Sequence, residues 1–276
     1  LTLNQELDDL NISLSEQRSK NARISVQHET VTQESQPAET NPFIVKHIPK
    51  SDADPYIFSP PKTYATRNIF REITNIKGEL LSAEEGKCPR TIMVTSSLEK
   101  EGKTTTAIVI ARSLAKESQD KVLLIDASTG RHSFDGLYKL DNMKPGLLEL
   151  VAHKASLDDG IVHKSDYKHL DLMSFGTFFH SEIRSFDAKQ FSLLLESLKQ
   201  HYDFIIVDAP SFLSSSSAAM MVGAFDGAIV VVRCKKTRKQ IIQQVMNKIE
   251  MLGGNVIGTV LNYRSFYIPR WMYKWI

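Results

Sequence analysis

The chain has 276 residues, enough for one or two domains. Hydrophobic residues make up 42% and charged residues 24%, which excludes a wholly disordered, collagen-like or coiled-coil protein. A net charge of +2 speaks against a dedicated nucleic-acid binder. The charge is uneven, however: residues 1–41 hold seven acids and three bases, and the rest holds 31 bases against 25 acids. That excess suits an anionic ligand or a membrane surface.

Residues 1–41 are rich in Ser, Gln, Asn and Glu and lack aromatics, so they read as a disordered acidic tail. Leu3, Leu7, Leu10 and Leu14 recur at heptad spacing. They describe either a short amphipathic helix that docks on a partner or a transient helix in the tail. Leu1 in place of Met points to a fragment or an alternative start. Six of the ten prolines lie between Pro37 and Pro61, and residues 42–63 read as an extended linker.

Residues 64–276 then form the candidate domain. A helix is expected first, because Phe70, Ile73, Ile76 and Leu80 share a face. Buried parallel strands are expected at Thr91–Thr95, Val122–Ile125, Phe204–Val207, Ala228–Val232 and Val256–Leu261. Helices should separate them, marked by Ile108, Ala111 and Ala115, by Phe191, Leu194, Leu195 and Leu198, and by Ile242, Val245, Ile249 and Leu252. This alternation predicts an α/β fold of three layers around a mostly parallel sheet. Gly146–Ser185 shows only one further apolar run, Leu170–Met173.

The first strand leads into Ser97-Leu98-Glu99-Lys100-Glu101-Gly102-Lys103-Thr104 and then a helix, the context of a P-loop. Backbone amides of the loop and the helix N-terminus face phosphate oxygens in such a turn. Gly102 permits close approach, Lys103 reaches the β- and γ-phosphates, Thr104 offers its hydroxyl to Mg²⁺, and Thr105 can bond the α-phosphate. The nucleotide-binding set in the loop is thus Glu101, Gly102, Lys103, Thr104 and Thr105. Glu99 and Glu101 are unusual so close to an anion, and outward-pointing side chains would reconcile them with it. Asp126 and Asp208 follow two expected strands, where an acid holds Mg²⁺ and polarises a nucleophile or merely caps a helix.

These residues, with Ile205-Ile206-Val207-Asp208-Ala209-Pro210, Asp226-Gly227 and Val260-Leu261-Asn262, resemble the bacterial tyrosine kinases of capsule and exopolysaccharide loci. That family is a P-loop NTPase branch related to the MinD/ParA ATPases, and the resemblance covers roughly residues 60–276. It implies ATP and Mg²⁺ as cofactors, with Lys103, Asp126 and Asp208 catalytic, Thr104, Asp126 and Asp208 on the metal, and Asn262 on the adenine. Tyr263, Tyr267 and Tyr273 would be the phosphoacceptors of a tail presented to a neighbouring subunit. It further implies a membrane co-polymerase as partner, self-association, and a cytoplasmic place at the inner face of the membrane.

The sequence departs from the family pattern at several points. Glu99-Lys100 replaces a Pro-Gly, Ser128 replaces a second strand-end acid, and Gly130 replaces a base, with Arg131 beside it. Ser211 replaces a proline, Ser214 to Ser217 stand where an acid is expected, and the ring-assembly motif reads Asn68, Arg71, Thr74. Two readings follow: an active autokinase that regulates polysaccharide export, or a catalytically weak ATP-dependent switch on a membrane partner. A third, a DNA-partitioning ATPase, draws on the run Arg233 to Lys239, which equally reads as a solvated loop before a helix.

After Pro269, the residues Trp271, Met272, Trp275 and Ile276 would share one helix face, with Arg270, Tyr273 and Lys274 off it. Such a tail either anchors at a membrane interface or packs back on the domain. No apolar run reaches the roughly 18 residues of a membrane span, and no signal-peptide pattern opens the chain. The two cysteines, Cys88 and Cys234, cannot build a disulfide framework or a four-thiolate metal site, which fits a reducing cytoplasm. The eight histidines show no metal spacing.

Overall fold

A computed structural model describes residues 88–117, 120–128, 138, 145–177 and 187–263. The acidic tail, the Pro-rich linker, the helix expected at Phe70–Leu80, Gly130, Arg131, Tyr267, Tyr273, Trp271 and Trp275 lie outside the described residues.

Among the described residues, seven strands form one sheet: β1 (Thr91–Ser96), β2 (Val122–Asp126), β3 (Val162–Lys164), β4 (Leu170–Met173), β5 (Phe204–Asp208), β6 (Gly227–Arg233) and β7 (Val256–Asn262). Their order is β3-β4-β2-β5-β1-β6-β7. All neighbours run parallel except β3 on β4. Every residue of β1, β2, β4 and β5 is buried. That explains the unbroken apolar runs in place of alternation, since helices cover both faces of a parallel sheet. Each fully buried aliphatic there is worth about 1.5–3 kcal/mol.

The helices are α1 (Lys103–Glu117), α2 (Leu147–Val151), α3 (Ala188–Leu198), α4 (Ser216–Met221) and α5 (Lys239–Met251). Helix α1 packs Ile108, Ala111, Leu114 and Ala115 into the core cluster that includes Val94, Leu124 and Ile206. In α3, Phe191, Leu194, Leu195 and Leu198 are all fully buried. Asp187 caps that helix by accepting from the Lys189 and Gln190 amides.

Two elements differ from expectation. Ile242, Val245 and Ile249 are buried on α5, but Leu252 is 44% exposed. The helix stops at Met251, and the chain turns away through Gly253 at φ +80°. The segment Gly146–Ser185 holds α2 and β3 as well as β4. Helix α2 is short and its Glu149 side chain accepts from the Gly146 and Thr177 amides. A five-residue helix fixed by such contacts leaves no periodic trace.

The chain passes from β1 to β2 on one side and later adds β6 and β7 on the other. Strand order therefore reverses beside β1. In open α/β sheets the crevice at the carboxyl ends of the strands at such a point receives ligands.

Candidate nucleotide site

The loop after β1 is built from two arms with different partners. Its backbone enters the left-handed region at Lys100 (φ 63°) and at Gly102 (φ 95°). Gly102 is required twice over: by its φ, and because an added Cβ would stand 1.9 Å from Asn262 Nδ2. Lys103 opens α1, so the free amides of the first helical turn face the loop. The Thr106 amide and hydroxyl both donate to the Gly102 carbonyl, at 3.0 and 2.9 Å, which fixes the loop on the helix.

Glu101 does not point outward. It is 1% exposed and accepts from the Leu98 amide at 2.9 Å and from the Thr237 hydroxyl. The Asn262 side chain donates to the Glu101 carbonyl at 3.0 Å and accepts from the Tyr263 amide at 2.8 Å. Asn262 thus braces the loop backbone from the end of β7. Its neighbour Tyr263 adopts φ 58° and is 49% exposed. The Arg233 guanidinium lies 4.5 Å from the centre of its ring. Tyr263 Cε2 would stand 3.6 Å from a Cβ on Gly102, so the ring borders the loop.

Glu99 takes the other side. Its carboxylate receives the Lys103 ammonium at 3.4 Å and the Ser211 hydroxyl. Burial acts to raise the Glu99 pKa, but the Ser211 hydroxyl and the Lys103 ammonium hold it below the ordinary carboxylate value.

Asp126 and Asp208 end neighbouring strands and are direct partners in the β2–β5 register. Asp126 accepts from the Ser128 amide at 2.9 Å. Asp208 is wholly buried, and neither carboxylate oxygen has a hydrogen-bond donor in good geometry. Burial and the Asp126 charge push its pKa up to about 8, while the nearby Thr104 hydroxyl and Lys103 ammonium pull the other way. The Ser97 hydroxyl is also buried without a partner. Buried polar groups are normally paired, so these unpaired oxygens and the buried lysine fit a cation and its anionic ligand. The donor set of Thr104, Asp126 and Asp208, all oxygen, suits Mg²⁺. Among the described residues no group of three or more His, Cys, Asp or Glu gathers into a metal site. The remaining Mg²⁺ ligands would come from phosphate and water.

Ser97, Glu99, Ser211 and Thr237 are the site residues that sequence reasoning did not assign. Only the Glu99–Lys103 contact had a local signal, the i,i+4 spacing. Ser211 and Thr237 arrive from loops that follow β5 and β6, distant in sequence. Cys88 and Cys234 form no disulfide. No helix of the described residues is long and apolar enough to cross a membrane.

A family model described as an AAA domain matches residues 90–258. Tyrosine-protein kinase CpsD of Streptococcus pneumoniae is 31% identical over 151 residues, which cover 55% of this chain and 66% of that protein. The chain spans less than two thirds of the length of the curated relatives it matches. The kinase domain of Escherichia coli tyrosine kinase ETK superposes with a TM-score of 0.64 at 25% identity, covering 72% of this chain and 79% of that one. The VpsO kinase domain does so with a TM-score of 0.62 at 28% identity, covering 74% and 100%. The resemblance to bacterial tyrosine kinases and the three-layer P-loop fold expected from the sequence both stand on these matches.

Proposed function

This chain belongs to the AAA-domain family, and we propose that within it the chain is an ATP-binding tyrosine autokinase that regulates bacterial exopolysaccharide or capsule polymerisation and export. The observation that carries the reading is Asp208, buried with two unpaired carboxylate oxygens, in register with Asp126 and close to the P-loop lysine. A structural aspartate in that position would be satisfied by protein donors.

Thr104, Asp126 and Asp208 would hold Mg²⁺, which supplies charge neutralisation at the phosphoryl group when bound. The chain's own contributions are separable. Gly102 and the first turn of α1 present amides to the phosphates. Lys103 supplies a fixed positive charge from a buried stem. Asp126, held by the Ser128 amide, is placed to orient an incoming hydroxyl. Asn262 keeps the Glu101–Gly102 backbone in shape. Of the three candidate phosphoacceptors, Tyr263 lies within the described residues, and its ring borders the loop.

One observation favours a second reading, a weakly catalytic ATP-dependent switch. The strand-end acid Asp126 has only Ser128 two residues on, so one carboxylate fewer would be available to hold Mg²⁺. Purified protein with ATP and Mg²⁺, followed by intact mass and phosphotyrosine mapping, separates the two. An adduct on Tyr263, Tyr267 or Tyr273 that disappears in Lys103→Met is the kinase. ATP-dependent assembly without an adduct is the switch. We place the protein at the inner membrane face through a co-polymerase partner, with Trp271 and Trp275 as a second contact. Liposome association unchanged by truncation after Asn262 removes that second contact from the proposal.

A further inference from the structure

Lys103 and Ser211 lie on separate elements of the site, one at the start of α1 and the other three residues past the end of β5. A single side chain, Glu99, joins them. The Lys103 side chain is only 8% exposed, so few positions around its ammonium admit an anion. One of them is taken by a Glu99 oxygen. The Glu99 side chain itself is 61% exposed and belongs to a loop, so it can swing out without disturbing the core. Its backbone neighbour Lys100 is held at φ 63°, a strained setting for a residue with a Cβ.

We propose that Glu99 sets the nucleotide affinity of this site: its carboxylate occupies the phosphate-facing side of Lys103, and phosphate binding must displace it and thereby release Ser211. The inference rests on the nucleotide reading above. Its physical content is competition. A carboxylate and a phosphate oxygen seek the same ammonium, and two anions cannot share it without repulsion. Release of Ser211 then removes one tie of the turn Ser211–Ser215, leaving the Phe212 amide on the Ser96 carbonyl and the Leu213 amide on the Ser97 carbonyl to hold it. Occupancy of the phosphate site is thus transmitted to a second loop through one side chain.

The test is titration of the full chain with Mg-ATP, Mg-ADP and adenosine by calorimetry, using wild type, Glu99→Gln, Ser211→Ala and Lys103→Ala, with melting temperatures as the folding control. The expected result is tighter binding of Mg-ATP and Mg-ADP in Glu99→Gln by about fivefold, the scale of a partly exposed ion pair. Ser211→Ala should shift the same way by less, and adenosine affinity should not change. Amides of residues 211–215 should exchange faster in wild type on adding Mg-ADP, and equally fast in nucleotide-free Ser211→Ala. Equal or weaker nucleotide binding by folded Glu99→Gln overturns the proposal while leaving the nucleotide site intact. Equal tightening toward adenosine overturns it too, because the competition is for phosphate. Absence of binding in both wild type and Glu99→Gln overturns the nucleotide reading itself. Were Glu99→Gln unfolded, Ser211→Ala carries the decision: unchanged affinity and exchange there overturn the proposal.

Discussion

Two aspartates at opposite rims of the same sheet have opposite surroundings. Asp226 precedes β6 at the rim where strands begin. Its carboxylate accepts from the Arg90 and Thr91 amides at 2.9 and 2.8 Å and from the Lys199 ammonium at 3.1 Å. Beside it the Arg90 guanidinium donates to the Lys199, Tyr202 and Asp203 carbonyls. Asp208 ends β5 at the opposite rim, where strands finish, with no donor in good geometry on either oxygen. Burial acts to raise both pKa values. At Asp226 the Thr91 amide, the Lys199 ammonium and the Arg90 amide outweigh it. At Asp208 the Asp126 charge adds to it. One rim is finished by the chain's own donors, and the other is not.

The comparison breaks most visibly at the unfinished rim. Lys103→Met should weaken Mg-ATP binding by more than about 100-fold, since the loop loses its one buried cation toward phosphate. Calorimetry checks this, and a folded variant with near-normal affinity would remove Lys103 from the site. Asp208→Asn and Asp226→Asn should then move stability in opposite directions. The first relieves an unpaired buried carboxylate and should raise stability of the nucleotide-free protein by about 1–3 kcal/mol, while abolishing the Mg²⁺ dependence of ATP binding. The second removes three charge-assisted contacts from a group about one third exposed, and should cost about 1–2 kcal/mol after screening. Urea unfolding measures both, and changes of the same sign would undo the contrast.

The pH dependence sharpens the finished rim. The amide and ammonium donors around Asp226 hold its pKa in the folded chain below the ordinary carboxylate value. Its contribution to stability is therefore complete above that value and is lost as pH falls through the lower, folded pKa. The stability gap between wild type and Asp226→Asn should stay level from pH 7 to about 5 and close below 4. The smallest expected effect is at the loop corner. Lys100→Gly relieves a left-handed residue and should stabilise the protein by about 0.5–1 kcal/mol. A loss of stability there would show that the Lys100 side chain is needed in place.

Much of this was legible in the residue order. The buried strands announced themselves as unbroken aliphatic runs, and Gly102-Lys103-Thr104 followed one of them directly. Asp126 and Asp208 were marked by their position after two such runs. The roles of the two loop glutamates were not legible. They lie two residues apart in one loop, yet Glu101 is turned into the protein by Thr237 and the Leu98 amide, and Glu99 is turned toward Lys103 by Ser211. Thr237 and Ser211 are more than a hundred residues away, and no local rule links them to the loop.

The sequence by itself determined which segments must be buried and which turn can approach a phosphate, because apolar period, glycine and strand-end acids act over a few residues. Only the tertiary structure decided which acids are satisfied. Whether a carboxylate finds a donor depends on which strands lie side by side, and strand order is set by packing of the whole sheet.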